Sequence, residues 1–180
     1  MFGQRRPAYY ERKITIALDK TQQLVTSLVM MVEGEIVGQK YKFYYPLRVR
    51  YVETDAQRHV FFGNYLTYFD VSLIEYTRAI GYNYPDMVTS GVDMFYVEAN
   101  CQYKGRAYFD DLLHVHTRIG HIGNTSFTFE FAIYKQPANE SIATGRIVAV
   151  TVDARTEQPV RVPDGLREAV ARFEGETAQP

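Results

Sequence analysis

The sequence predicts an α+β domain whose largely antiparallel sheet curls around one long helix. Three observations carry that expectation. A period-two stretch opens the ordered part, the longest amphipathic helical pattern in the chain follows it, and four more strand-like stretches joined by turn signals come after. The apolar arc of the helical segment covers about half its circumference, so the helix needs surrounding on several sides rather than laying on a flat surface.

The elements follow in order. Residues 1–40 form a polar, mildly basic extension with Arg5, Arg6, Arg12 and Lys13, and a weak helical pattern over Asp19–Met31 that Gly34 and Gly38 end. The domain proper is expected over 41–175. Tyr41, Phe43, Tyr45, Leu47, Val49 and Tyr51 alternate with polar neighbours as a half-buried strand, which Pro46 confines to an edge or a bulge. Tyr65, Phe69, Leu73, Tyr76 and Ile80 then recur at helical spacing, with Thr67, Asp70, Glu75, Thr77 and Arg78 opposite and Gly81 as the stop. The segment 82–91, with Pro85 and Gly91, reads as a loop.

Strands are expected over 94–104, 112–120, 127–133 and 142–154. The first sets Phe95, Val97, Ala99, Cys101 and Tyr103 against Met94, Tyr96, Glu98 and Asn100. Phe127, Phe129, Phe131 and Ile133 give the clearest alternation. Pro163, Asp164 and Gly165 open a short last helix that runs to about Phe173.

Composition excludes several classes. The 180 residues carry a net charge of −1, with 46% hydrophobic and 23% charged residues, which gives no general attraction to nucleic acid or to an anionic membrane. The apolar run 24–32 falls short of the ~20 residues a membrane helix needs, and it does not read as a signal peptide. The single cysteine, Cys101, cannot form an intramolecular disulfide, and a cytoplasmic, reducing location is the expectation.

Chemistry concentrates between Tyr51 and Tyr65. Asp55 follows a strand and precedes the helix, where a carboxylate attacks an acyl carbon or takes a proton from water. The helix start near Gly63 supplies unpaired backbone N–H groups and a positive dipole end, suited to a developing oxyanion. By residue chemistry alone, Asp55 reads equally as a turn or capping residue, and that plainer reading leads. His114 and His116 share one strand face without an evident third metal ligand, so a solvated face is expected there rather than a metal site. Asp110 and Asp111 read as a turn, Glu130 as solvated or facing a partner subunit, and Cys101 as core.

The run Val49, Arg50, Tyr51, Val52, Glu53, Thr54, Asp55, followed by Val60, Phe61, Phe62, Gly63, Asn64 and Tyr65, resembles the signature of hotdog-fold acyl-CoA thioesterases. The nearest group is the 4-hydroxybenzoyl-CoA thioesterase family, including its Tol-Pal-associated bacterial members. The resemblance continues through Tyr108–Val115, Thr125–Phe127 and Gln158–Pro163, and covers about 43–173. It implies hydrolysis of an acyl-CoA to free acid and CoA without metal or organic cofactor. Asp55 would be nucleophile or general base, Tyr51 an accessory group, and the Phe62 and Gly63 N–H groups the oxyanion donors. Arg58, His59, Val60, Asn64, Tyr65 and Ser126 would bind substrate, Ser126 from across a dimer, within a homodimer or homotetramer. Two positions depart from the family pattern. Phe62 stands where members often carry histidine or tyrosine, and Arg58 where many carry glycine, which predicts a looser loop or a contact from Arg58 to an anion. A non-catalytic acyl-CoA-binding regulator with the same fold is the alternative from another class; a hydratase would want an Asp/His dyad that has no evident place.

Overall fold

The computed structural model describes residues 40–175. The helix expected at 19–31 and the rest of the N-terminal extension lie outside the described residues. Five strands form one antiparallel sheet in the order β1-β3-β4-β5-β2: β1 (Tyr44–Arg48), β2 (Val92–Tyr103), β3 (Leu112–Ile122), β4 (Ser126–Lys135) and β5 (Glu140–Asp153). The long helix α1 (Asn64–Ala79) lies against one face, and two shorter helices, α2 (Tyr84–Thr89) and α3 (Asp164–Glu174), complete the fold. This is the hotdog arrangement.

Helix α1 is held by contacts its sequence pattern foreshadows. Tyr65, Phe69, Leu73, Tyr76 and Ile80 are all buried, together with Leu113, Val115 and Ile119 of β3 and the four alternating apolar residues of β4. Phe69 stacks on Phe131 with ring centroids 4.3 Å apart. The stack fits because Gly145, opposite Phe131 on β5, has no side chain: a Cβ there would lie 2.5 Å from the Phe69 ring and 2.5 Å from the Asn100 carbonyl oxygen. Two polar residues of α1 are also buried. The Ser72 hydroxyl donates to the Val115 carbonyl at 2.9 Å, and Thr77 donates to Ile74 within the helix. Satisfied hydroxyls of this kind are tolerated in a core, so Thr77 leaves the solvent face on which its polarity had placed it. Gly81 takes a positive φ of 77° and ends the helix.

Several boundaries differ from expectation. The first strand is shorter than the alternation 41–51 implies. Tyr41 packs with Ala132 and Tyr134 on the other face of the sheet, and Tyr51 is 77% exposed in a 3-10 turn over Tyr51–Glu53. Strand β1 is an edge strand, which accommodates Pro46. The segment 82–91 contains α2, because Asn83 caps it by accepting from the Asp86 N–H and Pro85 sits in its first turn.

Strand β2 forms the other edge, and its register shifts between Tyr96 and Glu98. The shift exchanges faces along the strand. Met94 and Cys101 pack on the core, while Phe95, Val97 and Tyr103 stay exposed, Val97 at 61%. The predicted apolar face of this strand is therefore only half covered within the chain.

The outer face of the sheet is not simply solvated. His116 lies under the rings of Tyr41, Tyr44 and Tyr134, and its Nδ1 is buried without a hydrogen-bond partner. Burial, helped by neighbouring His114, pushes the His116 imidazole down to about 4. Glu130 pairs within the chain, at 3.0 Å from Lys40 and 3.4 Å from Arg118.

Two expectations follow. Gly145→Ala forces the Phe69 ring or strand β2 to shift, and should lower unfolding free energy by about 1–3 kcal/mol in urea titrations, as overpacked cores do. For His116 the folded value lies below its unfolded value of about 6.5. Its contribution is therefore complete above that pH and is lost as pH falls through about 4. The urea midpoint should drop between pH 6.5 and 4, and His116→Gln should flatten that part of the profile.

Candidate active site

The chain leaves β1 through Val49 and enters the 3-10 turn Tyr51–Glu53. It then folds back as a narrow loop closed by the bridge between Thr54 and Val60. Within the loop, the Asp55 N–H donates to the His59 carbonyl at 3.0 Å, and the Arg58 N–H donates to the Asp55 carbonyl at 2.8 Å. Arg58 adopts a left-handed φ of 66°, so the loop keeps the tight turn that glycine favours despite carrying an arginine. The looser loop expected from Arg58 is not what forms.

Asp55 is partly exposed. Its Oδ1 accepts from the Gln57 N–H at 2.8 Å, which makes an Asx turn, and its Oδ2 lies 3.7 Å from His59 Nδ1. The same Nδ1 is 3.1 Å from the Val60 carbonyl oxygen, and Nε2 is 2.9 Å from Gln57 Oε1, so His59 is held by its own loop. The loop thus presents one carboxylate oxygen engaged in the turn and the other beside an imidazole.

Glu53 ties this loop to the helix. It is buried, with its carboxylate accepting from the Arg50 backbone N–H at 2.7 Å, from Arg50 Nε and Nη2 at 2.9 and 2.6 Å, and from the Tyr68 hydroxyl of α1 at 2.9 Å. Burial alone raises its carboxyl, but the bonds from Arg50 and Tyr68 outweigh that and hold it below its ordinary value. The Glu53 carbonyl accepts from the Phe61 N–H at 2.9 Å and from Asn64 Nδ2 at 2.8 Å. Strand end, loop and helix entry therefore meet at one residue. The i, i+3 spacing of Arg50 and Glu53 was the available sequence signal for it.

At the helix entry, Gly63 precedes α1 in right-handed geometry and no side chain caps the helix. Among the described residues, neither the Phe62 nor the Gly63 N–H donates a hydrogen bond within the chain. Two unused donors at the start of a 16-residue helix form the positive end of its dipole. The Phe62 side chain is 63% exposed and lies against Phe61, while its carbonyl accepts from the Tyr103 hydroxyl at 3.1 Å.

The other expected site residues divide. Val60 is buried, and its N–H is spent on the Ala107 carbonyl at 2.8 Å. Tyr65 is buried between Tyr68 and Tyr103, and burial pushes its hydroxyl up to about 12. Asn64 works as the tie to Glu53. Tyr51 turns its exposed ring edge-on to Phe109 at 5.8 Å. Ser126 starts β4 beside the far end of β3, whose near end adjoins the Asp55 loop. The two are separated by about 30 Å of strand, so one chain does not bring Ser126 to Asp55.

The segment from Tyr103 to Tyr108 also borders the site, and the sequence pattern gave it no such role. Tyr103 reaches the Phe62 carbonyl, Ala107 receives the Val60 N–H, and Tyr108 bridges His59.

Comparison with known proteins places the chain in a family. The thioesterase-like superfamily model matches residues 49–170, from the end of β1 into α3. A putative esterase from Aquifex aeolicus is 34% identical over 94 residues, covering 52% of this chain and 73% of that protein. The acyl-CoA thioesterase YbgC from Haemophilus influenzae is 28% identical over 128 residues, covering 71% of this chain and 93% of its own. Among solved structures, the gentisyl-coenzyme A thioesterase BH1999 superposes with a TM-score of 0.64 at 27% identity, covering 72% of this chain and all of that one. By sequence and by fold, the chain belongs to the thioesterase-like superfamily.

Proposed function

We propose that this chain hydrolyses acyl-CoA thioesters to a free carboxylic acid and CoA, with Asp55 as the reacting carboxylate. The observation that carries the reading is the pairing of two features. A partly exposed carboxylate is held in a fixed turn, and two uncommitted amides stand at the entry of the helix that follows. Glu53 fastens both to the same point, which supplies the preorganisation that electrostatic stabilisation requires.

In this reading the thioester carbonyl oxygen lies against the Phe62 and Gly63 N–H groups. Either Asp55 removes a proton from a water that adds to the carbonyl carbon, or Asp55 itself adds and water later releases the acid. In both routes the C–S bond breaks and the thiolate of CoA departs, taking up a proton. The Phe62 side chain cannot transfer protons, so only its backbone takes part. His59 and Arg58 border the carboxylate, and Tyr51 contributes to the aromatic rim. No metal or organic cofactor enters the scheme.

We further propose that the working form is a homodimer or a dimer of dimers in a reducing cytosol. The apolar side chains left exposed on the β2 edge, Phe95, Val97 and Tyr103, support a second copy docking there, because an uncovered apolar edge strand is a liability in an isolated chain. The distance of Ser126 from its own Asp55 supports the same assembly, in which Ser126 serves the partner's site.

Purified protein should release free thiol from a panel of acyl-CoAs, and Asp55→Asn should reduce that release by about 10²–10⁴-fold with an unchanged circular dichroism spectrum. Undiminished turnover in Asp55→Asn would sink the catalytic assignment, and acyl-CoA binding without turnover in the wild type would favour a binding protein instead. Analytical ultracentrifugation should show a dimer or tetramer that Val97→Asp shifts towards monomer. A wild-type monomer at micromolar concentration counts against the assembly.

A further inference from the structure

We infer that Lys104 and Arg106 grip the phosphates of the CoA moiety, an assignment that rests on the acyl-CoA hydrolase reading above. The two residues lie on the short arm Tyr103–Tyr108, which walls the candidate site along its length. At one end the Tyr103 hydroxyl donates to the Phe62 carbonyl at 3.1 Å, beside the amides assigned to the thioester oxygen. At the other, the Ala107 carbonyl accepts from Val60, and Tyr108 bridges His59.

The arm is anchored through its backbone. The Lys104 and Gly105 N–H groups both donate to the Ile142 carbonyl, at 2.8 and 3.0 Å. Gly105 presses so closely on strand β5 that a Cβ would sit 2.9 Å from the Ser141 carbonyl oxygen. The backbone between the two cations is thus fixed against the sheet, and Lys104 and Arg106 are exposed on either side of it.

Their charges are unspent among the described residues. Neither side chain makes a hydrogen bond or an ion pair among the described residues. The acids nearby are already engaged: Asp110 with Arg48, Asp111 with the Tyr108 N–H and Lys135, and Glu140 with Lys135. Lys135 itself is held by those acids and by the Arg106 carbonyl. Among the described residues this leaves two unpaired cations on the arm that borders the exposed Phe61 and Phe62 rings and the Asp55 loop. A surface lysine alone is usually only solvated. Two cations on an arm pinned to the reacting loop match a substrate whose thioester enters first and whose pyrophosphate and ribose phosphate remain outside.

The test compares acyl-CoA with the same acyl group on N-acetylcysteamine, a thioester that carries no phosphate. In Lys104→Ala/Arg106→Ala, kcat/KM for acyl-CoA should fall relative to that for the short thioester by about 10-fold or more. The fall should come mainly through KM, and the salt dependence of the wild-type KM should weaken. The charge-keeping exchange Lys104→Arg/Arg106→Lys should retain most of the preference, which separates charge from damage to the arm. Calorimetry supplies a readout free of turnover: wild-type protein should bind CoA more tightly than 3′-dephospho-CoA, and the alanine pair should narrow that difference. An equal loss on both thioesters, or an unchanged preference for CoA in the alanine variant, overturns the assignment. Wild-type protein that cleaves neither thioester defeats the hydrolase reading instead, while the calorimetric comparison still decides the phosphate grip.

Discussion

The architecture around the candidate site depends on one buried carboxylate. Glu53 is buried, yet its carboxyl is held below its ordinary value because Arg50 and Tyr68 together supply four hydrogen bonds to its two oxygens. With the Arg50 side chain 71% exposed, water screens this ion pair and its net contribution to stability is small. Its value lies in specificity of position. Arg50 lies between β1 and the 3-10 turn, Tyr68 belongs to the second turn of α1, and the Glu53 carbonyl takes both Phe61 and Asn64. None of these elements can shift without breaking a bond to a desolvated group.

The same residue explains why the helix entry remains unsatisfied. Asparagine near a helix start commonly caps the first turn. Here Asn64 turns its amide to Glu53 instead, and Gly63, which occupies the capping position, has no side chain. The Phe62 and Gly63 donors are consequently left for something outside the chain. Leaving them free costs little while water reaches them, and the arrangement becomes favourable when a carbonyl oxygen gathers negative charge in their place.

Sequence pattern alone made much of this fold legible, and the exceptions have physical causes. The stripe Tyr65, Phe69, Leu73, Tyr76, Ile80 and the alternation through β4 are visible because one face of each element is buried, and burial writes periodicity. Alternation assigns the faces of β2 wrongly because a bulge is a single-residue slip that leaves composition unchanged while exchanging faces. Tyr41 and Tyr51 extend the alternation in the sequence because an aromatic residue looks alike in a core, on a sheet's outer face and in an exposed turn. Of the candidate site, the stretch holding Asp55, Phe62 and Gly63 stands out in the sequence through its family spacing. The Glu53–Tyr68 and Tyr103–Phe62 ties do not, since they join residues 15 and 41 positions apart, and the other contacts of the Tyr103–Tyr108 arm run through backbone bonds that carry no side-chain signature.

At Asp55 the plain reading and the proposed function are compatible. From its position it was first a turn residue, and the structure makes it one: Oδ1 closes an Asx turn onto Gln57, and the loop holds Arg58 in a conformation that costs a non-glycine residue about 1–2 kcal/mol. That strain is sustained by the bonds Asp55–His59 and Arg58–Asp55, so the turn is fixed rather than one of several loop conformers. A carboxylate with one oxygen committed to its own backbone has little freedom left about its side-chain torsions. The second oxygen, beside His59, therefore has a defined direction without any further side chain devoted to holding it. On the proposed reading, turn formation is the means by which Asp55 is aimed, and it places the demands of the site on the loop backbone rather than on neighbouring side chains. This is why a phenylalanine at position 62 and an arginine at position 58 leave the geometry of the loop intact.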